Sequence, residues 1–311
     1  MNIPTFVPSH YKISTITATG GVNTHVCLDT LFSNVELPET DDGVTECVVY
    51  AEYGSRKTET IHKGHAKKLT ISRRNSAEKK RFDNQVTLVC RIKANAESTD
   101  TFVLINSKVF KNGNIQMTGL KYMDQGRLVI DYIVQLLKDI AVKNPNVVKD
   151  MDKLESCNYK VQLINCDFRT GFEIKRDKLH NVLLTEYDVY SSFEPCIYPG
   201  LKIQYWYNKT YGFHDGCCHC HNSCTRKDEH GKSHGMGGKG NGNGEGQCKK
   251  ITIAVFQSGC VIITGAQSTE QIDEAYDFIC TCIRSRLPNI YKVSLPVPAA
   301  EPKKKKSTSC A

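Results

Sequence analysis

Long apolar runs are missing from this chain. No stretch approaches the length of a membrane span. The amino terminus, MNIPTFVPSHYK, has no charged segment followed by an apolar block, so no secretory signal is read there. The local signatures of common catalysis are missing too: no paired acids, nucleophile elbow or phosphate-cradling glycine loop stands out. What cysteine lacks is pairing. Most of the fifteen sit singly in apolar runs, as at Cys27, Cys90, Cys166, Cys280 and Cys282. An odd, dispersed set argues against a disulfide framework and for a reducing compartment. These absences lead to the expectation of a soluble, intracellular chain that is not an enzyme. The excess of 41 Lys and Arg over 33 Asp and Glu favours a polyanionic partner without naming one. At 311 residues there is material for two domains or one large one.

What the chain does have is an internal repeat. FKNGNIQMTG at 110–119 recurs as FQSGCVIITG at 256–265, with Phe, Gly, Thr and Gly at the same offsets. Each copy reads as strand, tight turn at the first Gly, second strand and then helix. A repeat constrains architecture ahead of any single motif, because it implies one unit used twice. The surrounding pattern agrees. Residues 11–19 alternate and are β-branched, Cys27–Leu37 suits a short helix, and Val86–Lys93, Thr101–Phe110 and Asn114–Thr118 suit strands. Asp124 then opens a helix with Ile130, Ile133, Val134, Leu137 and Ala141 on one face. The second half replays the order: strand Tyr159–Phe168, helix Lys175–Leu184, strands Cys196–Tyr207, Lys250–Phe256 and Val261–Thr264. Ser268 and Gln271 then form a capping-box pair before the stripe Ile272, Ala275, Tyr276, Ile279 and Ile283.

Three segments break the pattern. Residues 38–81 are polar and rich in Lys and Arg, with Glu46–Tyr53 and Thr58–Ile71 able to pair as a hairpin. Residues 208–249 are rich in Cys, His and Gly. The tail, 296–311, carries Lys303–Lys306 and is expected to be disordered. The expected domains are therefore a first repeat over 9–145 and a second over 155–290. On the second hairpin, Ile251, Ile253, Val255, Val261 and Ile263 share one face. Thr252, Ala254, Phe256, Ile262 and Thr264 share the other. An apolar, threonine-bearing face on an antiparallel sheet, if uncovered, is a candidate binding surface.

These motifs resemble the TATA-box-binding protein family, whose repeats carry FxxGxxxxTG. FEPCIYPGL at 193–201 is similar to the family's EPELFPGL segment. KKRF at 79–82 resembles its PKRF segment, with VCRI at 89–92 matching the strand that follows. The chain resembles a divergent member, of the kind found in large DNA viruses or divergent protists. The resemblance implies an α+β saddle: two pseudosymmetric repeats of curved antiparallel sheet with helices on the convex face. The concave face would bind the minor groove of double-stranded, A·T-rich promoter DNA. Phe82 and Phe110 would wedge open one base step, and Tyr198 and Phe256 the other. Unstacking a step costs about a few kcal/mol, so a flat apolar ring that replaces the lost stacking suits the task. The A·T minor groove shows only acceptors, so threonine and apolar side chains fit there.

Carried over by position, groove or phosphate contacts fall on Ser14, Arg91, Lys108, Thr118, Asn165, Ile262 and Thr264. Ser14 and Leu163 stand where the family has a donating Asn, with Asn165 a substitute; Lys108 and Gln116 replace apolar positions. Glu194 and Ile197 would contact a general transcription factor, although Cys196 replaces the family's second acid there. The implied partners are DNA, general transcription factors and the RNA polymerase machinery, with no membrane. The implied place is the nucleus or another intracellular site of transcription, such as a viral factory. One rival reading is a protein-interaction scaffold on the same saddle, with DNA binding reduced or lost. Another is an accessory to an enzyme, disfavoured because nothing after Ile283 is long enough for a catalytic domain. The saddle itself requires no cofactor.

In the 208–249 insertion, Cys217 and Cys220 have CxxC spacing, and Cys224 with Cys248 or a histidine could complete a tetrahedral Zn²⁺ site. The other reading is a metal-free, glycine-rich flexible loop.

Overall fold

The computed structural model describes residues 5–38, 45–54, 56–59, 83–94, 101–227, 229–232 and 235–292. The basic run 60–82, with Phe82, and the tail from 293 lie outside the described residues. The first half runs β1 (Lys12–Gly21), α1 (Leu28–Asn34), β2 (Cys47–Tyr53), β3 (Arg56–Glu59), β4 (Gln85–Lys93), β5 (Phe102–Phe110), β6 (Asn114–Leu120) and α2 (Gln125–Lys143). A 3-10 turn at Pro145–Val147 follows. The second half runs β7 (Cys157–Arg169), β8 (Glu173–Ile174), α3 (Arg176–Thr185), β9 (Ser191–Ser192), β10 (Leu201–Tyr207), β11 (Lys249–Val255), β12 (Cys260–Ala266), α4 (Thr269–Ser285), α5 (Leu287–Ile290) and β13 (Tyr291–Lys292).

Eleven strands make one sheet in the order β3-β2-β4-β5-β6-β1-β7-β12-β11-β10-β9, while β8 and β13 pair separately. β1 and β7 run antiparallel at the centre, with Ile16 opposite Ile164 and Thr17 opposite Leu163. Outward from them, β6-β5-β4-β2 on one side mirrors β12-β11-β10-β9 on the other. The order is that of a pseudo-two-fold axis between β1 and β7. β2 lies inside the stretch read as a charged excursion. It is nonetheless a sheet strand, hydrogen-bonded to β4 as well as to its hairpin partner β3. The strand expected over Cys196–Tyr207 begins only at Leu201. Pro195 and Pro199 lack the N–H a ladder needs, and Glu194 O accepts from both Ile197 N and Tyr198 N in a turn instead.

Side-chain parity then sorts the sheet into two faces. Ile251, Ile253, Val255, Val261 and Ile263 are fully buried beneath the helices. Ile272, Ala275, Ile279 and Ile283 on α4 pack against that second-half sheet, as Ile130, Ile133, Val134, Leu137 and Ala141 on α2 do against β1, β4 and β6, and all are buried. Complete burial of such side chains is worth about 1.5–3 kcal/mol each, so the helices are held by the sheet and not by their own propensity.

The repeated residues have a common cause. Gly113 and Gly259 take φ of +83° and +77°, and each N–H closes a turn onto the carbonyl of Phe110 or Phe256. A Cβ at either would sit 2.1 Å from a backbone oxygen, that of Thr24 or Phe172. Only glycine can turn there. The repeat also extends further than its sequence motif. Gln125 and Gln271, both buried, occupy the same offset after the threonine. Their Oε1 atoms accept from Lys121 N and Gln267 N, at 2.8 Å in each case. On α4, Ser268 Oγ accepts from Gln271 N as the capping pair requires. The glutamine's return bond goes to Gln267 rather than to Ser268.

Candidate nucleic-acid interface

Among the described residues, no element covers the face opposite the helices along the centre of the sheet. Half-buried Thr17 and Thr19 (β1), Gln116 and Thr118 (β6), Leu163 and Asn165 (β7), Ile262 and Thr264 (β12) and Thr252 (β11) lie across it. Register places Thr252 opposite Thr264 and Ile262 opposite Asp167. The surface is uncharged over most of its middle, with small hydroxyls between apolar groups. Thr264 Oγ1 donates to Asn165 Oδ1, which leaves the Asn165 amide nitrogen available to an incoming acceptor. Ser14 is spent differently: its hydroxyl donates to Asp167 Oδ1, and its carbonyl accepts from Lys121.

Aromatic side chains mark the two ends. Tyr198 and Phe256 pack edge to face with ring centroids 5.8 Å apart. Gly200 is the reason they can meet, because a Cβ there would lie 2.6 Å from the Tyr198 ring and 3.2 Å from that of Phe256. Lys202 Nζ sits 4.2 Å from the Tyr198 ring centroid, a cation–π contact. Arg176 holds the loop from behind: it donates to Pro199 O and Gln257 Oε1 and lies over the Phe193 ring. Sequence reasoning missed this Arg176 anchor, because nothing local distinguishes it from a surface arginine. At the other end Phe110 is half-buried beside a cavity of about 580 Å³, lined in part by Thr19, Asn84, Asn114 and Gln116. Its expected partner Phe82 lies outside the described residues, so only one of the two aromatic pairs is seen together.

Of the basic residues expected on this surface, Lys108 is half-buried on β5 between Thr87 and Gln116. Arg91 is not available. Only 5% exposed, it donates from Nε to Thr45 O at 2.8 Å and from Nη2 to Cys47 Sγ at 3.0 Å. Burial lowers its pKa. It ties β4 to the segment before β2 and is corrected here to a structural residue. In the 194–198 turn, Glu194 is exposed and Ile197 is 81% exposed, an apolar side chain presented to solvent.

The cysteine insertion gathers four thiols. Cys218, Cys220, Cys224 and Cys248 place all their sulfurs within 4.8 Å of one another. Cys217, expected as a ligand, is not among them: its thiol points at the carbonyls of Tyr187 and Asp188, and burial pushes it up to about 11. Cys218 takes its place. CxxC counting chose the wrong neighbour because Cys217 and Cys218 are adjacent and only the fold decides which one turns inward. Among the described residues, His219 and His221 lie outside the cluster. His219 pairs with Asp215 at 2.8 Å and lies against the Phe213 ring, and His221 is bound through its backbone to Glu245.

Residues 246–285, which span β11, β12 and α4 and contain the second copy of the repeat, match the family described as transcription factor TFIID (or TATA-binding protein, TBP). Over 273 residues the chain is 29% identical to the TATA-box-binding protein-like protein of Acanthamoeba polyphaga mimivirus. The chain is thus similar to TATA-binding proteins. The alignment covers 86% of this chain and 63% of the mimivirus protein, so the chain spans under two thirds of that relative's length. Among solved structures, the TBP of Methanococcus jannaschii aligns with 89% of this chain and 99% of its own at 17% identity and a TM-score of 0.45. The fold is α+β: two pseudosymmetric repeats share one antiparallel sheet, with the long helices on one face. Among the described residues no helix is long and apolar enough to cross a membrane.

Proposed function

We propose that this chain is a transcription initiation factor that binds A·T-rich promoter DNA through the minor groove, bends it and recruits transcription machinery. The observation that carries the reading is the open sheet face, threonine-rich and apolar, with Phe110 at one end and the Tyr198–Phe256 pair at the other. Thr118, Thr264 and Ile262 would lie against the floor of the groove, where A·T pairs present no amino group to clash. Asn165 would donate to base acceptors. Tyr198 and Phe256 would enter one base step, and Phe110 with Phe82 the other, so that bending exposes more duplex to the sheet and offsets the unstacking cost. Lys108 and Lys202 would neutralise phosphates, adding affinity and salt dependence without reading sequence. Glu194 and exposed Ile197 form the surface offered to a general transcription factor. The reading places the chain where transcription occurs, in a nucleus or a viral factory, and gives it no catalytic role.

A specific observation favours a second reading, the protein-recruiting scaffold. Asp167, whose partner is Ser14, puts a carboxylate on the open face, and Leu163 beside the centre cannot donate. The two readings separate in a fluorescence-transfer bending assay on A·T-rich and G·C-rich duplexes, with the Phe110→Ala/Phe256→Ala double variant alongside. Bending confined to A·T-rich DNA and lost in the variant is expected. Binding without bending, or none, would transfer the assignment to the scaffold.

A further inference from the structure

We propose that Cys218, Cys220, Cys224 and Cys248 form a structural tetrathiolate zinc site that folds the 208–248 insertion onto the edge of the sheet. The distances carry it. Four sulfurs about 2.3 Å from a common centre in tetrahedral array lie about 3.8 Å apart. Here Cys220–Cys248 is 3.4 Å, Cys248–Cys218 is 3.6 Å and Cys224–Cys220 is 3.8 Å. A disulfide needs about 2.05 Å and joins sulfurs only in pairs, whereas all four sulfurs here lie within 4.8 Å of one another.

The surroundings suit the bound ion. Zinc would displace the thiol protons and leave a centre of net negative charge, and N–H donors are directed at the sulfurs. Cys224 N–H donates to Cys218 Sγ at 3.2 Å, Gly246 N–H to Cys220 Sγ at 3.2 Å, and Asn208 Nδ2 to Cys248 Sγ at 3.4 Å. Such outer contacts orient metal ligands and stabilise their charge. An all-sulfur set with no vacant ligand position, buried under Trp206, fits a closed structural site and not a catalytic one.

The insertion also has a need that the metal meets. Its apolar interior consists of Trp206 and the cysteines, with Tyr211 at the margin, and glycines at positive φ recur from Gly231 to Gly246. So small a core cannot offset the ordering of so much glycine, and domains in that position rely on staples. The folded insertion does visible work at the edge. β9 covers only Lys202 and Ile203 of β10, and beyond them Trp206 N–H donates to Gly216 O of the insertion; on β11, Lys250 N–H donates to Gly238 O. The site thus closes an edge that β9 leaves open.

The test is metal analysis of the full chain purified under reducing conditions, with Cys217→Ser and Cys218→Ser beside the wild type. Expected are one zinc per chain in the wild type and in C217S and none in C218S, with far-UV circular dichroism showing that the sheet persists in all three. Cobalt substitution should give thiolate charge-transfer bands and the intense visible bands of a tetrahedral centre. Proteolysis should cut within 208–248 only after chelation. Absence of metal in zinc-replete protein, iron in place of zinc, two disulfides by mass, or retention of zinc by C218S but not by C217S would each overturn the proposal.

Discussion

Gly259 and Gly171 both hold left-handed backbone, but their surroundings differ. A Cβ at Gly171 meets nothing within 4 Å, while one at Gly259 strikes the Phe172 carbonyl. Gly171→Ala should therefore cost only the conformational penalty of about 1–2 kcal/mol. Gly259→Ala adds a backbone clash and should cost at least about 1 kcal/mol more, within the large-effect class of substitutions. Urea denaturation of the two variants measures the difference, and equal losses would show that the turn has room to relax. On the interface, Lys108→Ala should weaken binding to A·T-rich and G·C-rich duplexes alike and reduce the slope of log affinity against log salt by about 1. A change in preference between the duplexes, with the slope intact, would show that Lys108 is not a phosphate contact. Single residues were also where sequence reasoning was weakest. Lys108 and Arg91 looked equivalent as strand cations, and only the neighbouring Thr45 carbonyl and Cys47 sulfur reveal that Arg91 is committed to the fold.

The two long helices begin differently, and that difference can be measured. Ser268 caps α4 through its side chain, whereas Asp124 at the start of α2 makes no side-chain cap bond. Ser268→Ala should cost about 0.5–2 kcal/mol. Asp124→Ala should stay within about 0.5 kcal/mol, the range of an ordinary surface substitution. Equal effects in thermal melts would mean that the Gln125 and Gln271 bonds, and not the caps, secure the helix starts. Both stripes were legible because a 3.6-residue period survives any sequence divergence that preserves burial. Strand faces were legible for the same kind of reason, since Ile251 to Ile253 on β11 and Val261 to Thr264 on β12 alternate, although Ala254 is buried as well. The start of β10 was not legible. Apolar content between Cys196 and Gly200 resembles a strand, but the two prolines convert it into the turn that presents Ile197 and Tyr198. β2 was legible as one arm of a hairpin, with Val48, Val49 and Ala51 buried, but its pairing with β4 was not.

Because β1 and β7 join two equivalent halves, the proposed interface has two separate wedge points joined by one sheet. Phe110→Ala and Phe256→Ala should then each remove part of the bend and together remove most of it, with free energies that add to within about 0.5 kcal/mol. Loss of all bending from either single variant would instead indicate that one kink nucleates the other. This additivity is a property of the assembled sheet and cannot be assigned to either aromatic alone.

The paired glycine turns, the parity of the sheet faces and the two helix stripes were set by the sequence itself. Each depends on local backbone geometry or short-period burial, which neighbouring residues express directly. Tertiary structure decided which thiol turns into the cysteine cluster, which arginine is spent on the fold, and that Tyr198 and Phe256, 58 positions apart, meet edge to face over Gly200. These outcomes depend on which distant segments the sheet order brings together, a long-range choice that the sequence around any one of these residues does not contain.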